Sequence, residues 1–300
     1  MVSDAGFARG RILVSFEPEE YGPVLIPERY RIGAPALLIA SLIYGNLRID
    51  ESVPACENAA YIAPFAQRNY YREAVKRLQP LAREFRFRYG GAKSDFRILC
   101  NSPVPEKPLA AASGLGFPGR NGLIITPEGG SLIIIAAMTL PFTPEGDGPE
   151  EAARDNDFPL CKDCNPLYPP CVAACPTGAV IGNGTIERSR CIQWYASGNG
   201  DTIPQEVARN WGNRLYGCTG CQDACIHNKP PIRGVFSEEG ALPAYMDPME
   251  LLAMTDEELK ARFKGTALGL AWLGPQGIRR NARMILARNQ LDSSSEGLFW

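Results

Sequence analysis

Eight of the ten cysteines in this 300-residue chain lie between Cys161 and Cys225, and their spacing is the first feature able to do chemistry. Two half-motifs stand out. One is Cys161-Lys-Asp-Cys164 followed by Cys171-Val-Ala-Ala-Cys175-Pro176; the other is Cys191 followed by Cys218-Thr-Gly-Cys221-Gln-Asp-Ala-Cys225. Each half ends in C-x3-C, and the first adds the proline that closes the bacterial ferredoxin run. Soft thiolates at short spacings suit iron–sulfur cores, because several sulfurs must converge on one small cube. In that run the fourth cysteine serves the other cluster. The rule assigns Cys161, Cys164, Cys171 and Cys225 to one [4Fe-4S] cubane, and Cys175, Cys191, Cys218 and Cys221 to the second. Two structural zinc sites of four thiolates each are the alternative, since C-x2-C pairs serve both metals. Asn-Pro-Leu-Tyr-Pro-Pro stands between Cys164 and Cys171 where the ferredoxin run has two residues, a proline-stiffened loop beside the first site.

The remaining candidates are few. His227 is the only histidine, which excludes any site built from two imidazoles. It lies two residues beyond Cys225, where it is either an ordinary loop residue or a hydrogen-bond partner of a cluster. Cys56 and Cys100 are left over; Cys56 reads as a small buried hydrophobe. Gly114-Leu-Gly116-Phe-Pro-Gly119 matches G-x-G-x-x-G, yet the dinucleotide fingerprint needs a strand before it and a helix after it. Here a helix-like stretch, Pro108 to Ser113, precedes the glycines and a strand-like one, Leu123 to Ile125, follows. Pro118 also removes a backbone donor, so dinucleotide binding is rejected in favour of a glycine-rich loop close to some other group.

These residues need a scaffold. Ala36 to Ile43 (ALLIASLI) reads as a buried strand, within an apolar run from Ala34 to Tyr44 that is too short to span a bilayer. Tyr70 to Phe87 has an amphipathic helical pattern ringed by arginine and lysine, with Pro80 predicting a kink or break. Phe96 to Leu99 is a short strand, and Leu123 to Thr126 with Ser131 to Ile135 reads as a hairpin around Pro-Glu-Gly-Gly. Thr143 to Asp157 reads as an acidic linker. Past the cysteines, Asp247-Pro248 and Thr255-Asp256 are helix starts, and Arg279 to Asn289 is a basic helix whose Arg279, Arg280, Arg283 and Arg288 form either a solvated or a phosphate-contacting face. Leu291 to Trp300 lacks periodicity and is expected to fray. The expected fold class is α+β, in three segments: residues 1–150 an α/β cofactor-binding domain, 151–232 a ferredoxin-like double-cluster domain, and 233–300 C-terminal helices. No secretory pattern opens the chain, so a cytoplasmic protein with reduced thiols is expected.

Taken together, the ordered motifs resemble the epoxyqueuosine reductases. They are Pro103-Val-Pro-Glu106-Lys, Ser113-Gly-Leu-Gly-Phe117-Pro-Gly-Arg-Asn, Gly130-Ser131, Cys175-Pro-Thr-Gly-Ala179, Arg190-Cys191-Ile, Ile203-Pro204, Tyr216-Gly-Cys218, Cys221-Gln222 and Asn228-Lys229. Phe263-Lys-Gly265-Thr-Ala267 and Arg280-Asn281-Ala282 look like that family's C-terminal helices. The likeness runs from about Tyr61 to Asn289.

The resemblance implies a cobalamin-dependent enzyme with two [4Fe-4S] clusters, which reduces the epoxide of epoxyqueuosine in tRNA to an alkene, the last step of queuosine formation. It implies cob(II)alamin held near Gly116, Phe117, Ile124, Ile135, Gln193 and Thr219, a low-potential external electron donor, and a monomer. Cys100 stands where the family has its aspartate proton donor, and is the catalytic candidate. Thr219-Gly220 replaces the family's Asp-Asp, Ile226-His227 replaces Pro-Trp, and the long C-terminal extension of larger members is missing. A related reductase of a small molecule and a non-catalytic electron-transfer protein are the alternatives. The formal charge of -2 counts neutral thiols; two oxidised cubanes bring it to about -6. Contact with tRNA therefore demands a local basic face, for which the arginine helix is the expected place.

Overall fold

The computed structural model describes residues 1–14, 33–44, 59–144, 161, 164–165, 167–198, 200, 202–228, 242–269 and 272–295, with side chains of the last helix to residue 287. The acidic linker (but for residues 143–144) and Cys56 lie outside the described residues.

The N-terminal half is built on an antiparallel sheet of β1 (Arg9–Val14), β2 (Ala36–Ile43), β4 (Ile98–Leu99) and β7 (Ile133–Leu140), in the order β1-β2-β7-β4. The continuous apolar run of β2 has a simple cause. Successive side chains of a strand point to opposite faces. Ala36, Leu38, Ala40 and Leu42 pack on Tyr70, Ala74, Leu78 and Leu81 of α1 (Tyr70–Tyr89), while Leu37 and Ile39 pack on Leu109, Ala110 and Leu115 in and beyond α2 (Glu106–Ala112). Both faces are covered, so alternation disappears. Asn69 caps α1 by accepting from Arg72 N at 3.0 Å. The helix runs through Pro80 without a break. Pro80 is exposed, and a proline there leaves its unpaired carbonyl, on Lys76, to water rather than to the core.

The expected hairpin around Pro-Glu-Gly-Gly is corrected. Thr126 and Gly130 do close the turn with paired backbone bonds of 2.9 Å. The arms then separate: β6 (Ile124–Ile125) pairs with β5 (Phe117–Pro118), and β7 joins the large sheet. The turn signal was local and said nothing of which partner each arm would find.

A second sheet, in the order β8-β3-β9, takes β3 (Ala60–Ile62) from the first sequence segment, β8 (Arg214–Tyr216) from the second and β9 (Tyr245–Met246) from the third. It shares a core with α7 (Pro248–Ala253), α8 (Asp256–Arg262) and α9 (Gly274–Ser295), centred on the fully buried Trp211 and Phe263. Asp247 and Thr255 cap α7 and α8 as their sequences predict. Buried Asn281 ties α9 to this sheet by donating to the Ala196 and Leu215 carbonyls, both at 2.9 Å. α9 continues to Ser295, into the first half of the stretch expected to fray, the rest of which lies outside the described residues.

Two of the four α9 arginines, Arg279 and Arg280, are turned to protein partners and not to the expected phosphate face. Arg279 pairs with Asp256 and donates to Met254 O at 2.7 Å, and Arg280 donates to Tyr195 O. Of the four, Arg283 is exposed and Arg288 lies outside the described side chains.

Candidate functional site

The cysteines sit on elements too short to stand alone: α3 (Pro170–Ala173), α4 (Ile192–Ala196) and α6 (Gly220–Asp223). Such helices gain their stability from what they pack on. α3 and α6 lie against each other. Gly220 permits this approach, because a Cβ there would fall 2.9 Å from Ala174 O.

The thiols fall into two groups of electrostatic neighbours. Burial raises Cys171 above the ordinary thiol value, and Cys161, Cys225 and Cys164 raise it further. Cys164 is raised by burial and by Cys161 and Cys225. On the other side, burial pushes Cys221 up to about 12, helped by Cys218, Cys175 and Cys191 and least by Cys171 of the first group. Burial likewise raises Cys191, with Cys218 and Cys175 contributing. Cys175 differs. Burial acts upward, but backbone groups of Val180, Thr177 and Ala179 and the Thr177 hydroxyl outweigh it and hold the thiol below the ordinary value. Crowded, buried thiols of this kind give up their protons when a metal arrives. No disulfide occurs among the described residues.

The first group leans on the N-terminal half. Ile125 packs on Cys161 and Cys225, flanked by Phe117 and Cys164, and Arg120 N donates to Cys161 Sγ at 3.4 Å. A buried polar latch lies beside it. Gln222 Nε2 donates to Tyr44 OH at 2.8 Å and Ser131 O at 2.9 Å; Asn228 Nδ2 donates to Ser131 Oγ at 2.9 Å; Ser131 N donates to Asn228 Oδ1 at 2.7 Å. Gly130, at φ +53°, brings its backbone against Asn228 and His227 where no Cβ fits. Sequence reading quoted Gln222, Asn228 and Ser131 as motif members without a role. Their polar types between two apolar segments were the available signal.

Two neighbouring clefts share Lys107. One, of about 340 Å³, is lined by Lys107 and Gly122 from the N-terminal half and by Arg188, Cys191, Gln193 and Trp194 from the cysteine segment. The Gln193 Oε1 atom is buried there without a hydrogen-bond partner. The other, of about 240 Å³, has an apolar wall of Ile124, Ile133 and Ile135 facing Tyr71, Asn101 and Glu106. The structure thus brings Ile124, Ile135 and Gln193 of the expected cofactor residues to these clefts. Gly116 instead lies against Ile125 O, where a Cβ does not fit. Phe117 packs at the first thiol group, and Thr219 Oγ1 donates to Asp223 Oδ2 at 2.7 Å.

Cys100 sits beside the second cleft, its Sγ 3.5 Å from Ile135 O. Burial, with the Glu106 carboxylate adding to it, pushes this thiol up to about 12. Glu106 is itself raised by burial, against the pull of Ser102 N, which donates to it at 2.8 Å. Asn101, between them, adopts φ +50°. Nothing local in the sequence marks Glu106 as buried, since Tyr71 and Ile135, which line the same cleft, are distant in the chain.

An α+β scaffold joined to eight converging thiols, with an orphaned amide in a cleft walled by both, defines an iron–sulfur protein with room for a further cofactor. Residues 160–228 match the family described as a 4Fe-4S double cluster binding domain. In sequence the chain is similar to epoxyqueuosine reductases. It is 34% identical to that of Staphylococcus aureus over 201 residues, 64% of this chain and 48% of the relative. With the Bacillus subtilis enzyme it shares 36% over 188 residues, 61% of this chain and 45% of the relative. The chain thus spans about half the length of these curated relatives. In fold it matches epoxyqueuosine reductase from Streptococcus thermophilus with a TM-score of 0.78 at 20% identity, over 96% of this chain and 80% of that one. An epoxyqueuosine reductase crystallised with an epoxyqueuosine-modified tRNA stem loop matches with a TM-score of 0.72 at 24% identity, over 96% and 79%. Among the described residues no helix is long and apolar enough to cross a membrane.

Proposed function

We propose that this chain is a corrinoid- and iron–sulfur-dependent reductase that acts on epoxyqueuosine in tRNA. The observation that carries the reading is the cleft shared by the two halves, in which Cys191, a thiol of the second group, lines the same wall as Gln193 and Lys107. Cys161, Cys164, Cys171 and Cys225 hold one [4Fe-4S] cubane, and Cys175, Cys191, Cys218 and Cys221 hold the other. The two cubanes supply one-electron transfer at a potential set by their thiolate surroundings.

The clefts fit a flat organic cofactor, with an isoleucine wall for its apolar face and the unpaired Gln193 carbonyl for a polar edge. A corrinoid bound there supplies a low-valent cobalt centre for epoxide opening. Turning an epoxide into an alkene takes two electrons and two protons and releases water. Cys100 and Glu106 are the groups that hold protons at that wall. The Cys100 thiol, at about 12, stays protonated at neutral pH, and a thiol in that state is neither a good cobalt ligand nor a ready target for alkylation. Glu106 keeps its proton to higher pH than a free carboxyl because it is buried.

For tRNA, the basic face lies on α1. Arg72, Lys76, Arg83 and Arg86 are exposed, and at about 100° per residue they fall within an arc of about 80°. The acidic residues of this helix, Glu73 and Glu84, are paired elsewhere, with Arg77 and Arg88. Tyr71, next to Arg72, lines the cleft, so the stripe starts at its mouth.

The test is anaerobic turnover of an epoxyqueuosine-bearing tRNA stem loop by protein loaded with iron, sulfide and cobalamin. Conversion to queuosine is expected, falling at least tenfold on Glu106→Gln. Loaded native protein that leaves the epoxide intact, while Cys100→Asp converts it, moves the substrate to a small molecule. Zinc in place of iron and sulfide ends the reading.

A further inference from the structure

The lone histidine belongs to the first thiol group. A ring nitrogen of His227 and the sulfurs of Cys161 and Cys164 all lie within 4.8 Å of one another. His227 Nε2 is buried and has no hydrogen-bond partner. The ring is held in place from two sides. Phe117 meets it edge to face, with centroids 5.5 Å apart and planes at 79°. Asn228, the next residue, is pinned by Ser131 and by the Gln222 carbonyl at 2.8 Å. A buried imidazole nitrogen with nothing to bond costs free energy unless its neighbour supplies an acceptor, and the structure places the sulfurs of Cys161 and Cys164 beside this ring.

We infer that His227 is the hydrogen-bond donor of the first cluster, giving a ring N–H to a sulfur of Cys161 or Cys164 and leaving the iron to the four thiolates. The inference rests on the cluster assignment above. Hydrogen bonds to cluster sulfurs draw off electron density and favour the reduced form. His227 therefore sets the first potential above the value its thiolates alone would give, and leaves the second, which has no histidine, where it is.

Because the chain has a single histidine, labelling with 15N-histidine marks this residue alone. Electron spin-echo envelope spectroscopy of the half-reduced, loaded protein is expected to show one weak histidine-nitrogen coupling. In an EPR-monitored redox titration, His227→Phe is expected to lower one potential and leave the other unmoved, with iron and sulfide content unchanged. His227→Gln, which keeps an N–H donor, restores part of the shift and guards against a variant that merely packs badly. A loaded protein with no histidine coupling and two unmoved potentials overturns this inference alone. A strong coupling typical of direct ligation, with iron lost from His227→Phe and His227→Gln alike, also overturns it, in favour of an imidazole ligand. Zinc without sulfide overturns the cluster assignment and this inference together.

Discussion

The two halves of the molecule are stabilised by different means. In the N-terminal half, β2 and β7 are buried on both faces by α1 and α2, and burial of apolar surface at about 25 cal/mol per Å² carries the fold. Around the cysteines the helices are four or five residues long; α4 gives Ile192, Tyr195 and Ala196 to the core around Trp211, whereas the cluster beside the first thiol group is only Ile125 with Cys161 and Cys225. Secondary structure that short is not self-supporting. The difference teaches that the first half is a preformed wall, whereas the α3 and α6 region depends for its folding free energy on what its thiols bind.

The sharpest way to break that comparison is to remove the metal. Chelation under reducing conditions should abolish amide-exchange protection in α3 and α6 while β2 and β7 keep theirs; simultaneous loss in both regions would show one folding unit. Next in size is the apolar core. Leu78→Ala, at a fully buried site, should cost about 2–5 kcal/mol in denaturant unfolding, with cluster content unchanged in the folded fraction. The latch comes third. Asn228→Ala strands Ser131 N–H and takes a donor from Ser131 Oγ and the Gln222 carbonyl, and should cost about 1–3 kcal/mol, read as a lower Tm in the loaded protein. If the loss were as large in metal-free protein, the latch would belong to the preformed wall alone.

The mildest probe is the Cys100 thiol, raised from 9.0 to about 12. Alkylation of Cys100 at pH 8, mapped by mass spectrometry, should be about a thousandfold slower than that of a free thiol. The sign of the linked stability follows. The unfolded thiol ionises first, so the contribution is whole below pH 9 and is lost as the pH rises from 9.0 toward about 12. Cys100→Ser should shallow that alkaline loss.

Much of this was legible in the residues. The ALLIASLI run marked β2, Asp247 and Thr255 marked two helix starts, and the spacing of the cysteines marked a double cluster segment over residues 160–228. What failed depended on partners distant in sequence. The turn at Thr126–Gly130 was visible, but the pairing of its arms with β5 and β2 was not. Arg279 and Arg280 of α9 read as free because Asp256 and the Tyr195 carbonyl, which occupy them, lie 23 and 85 residues away. The same distance hid the environment of Glu106.

Cys171 lies in α3 with Cys175 two residues past it, and Cys221 lies in α6 with Cys225 two residues past it, so under the proposed assignment each helix segment gives one thiol to each cubane. Filling one site orders half the ligands of its neighbour, which makes assembly of the pair positively cooperative. On that assignment, molecules holding a single cubane should be a minority at every stage of loading, with the protein passing from empty to two-electron-competent with little in between.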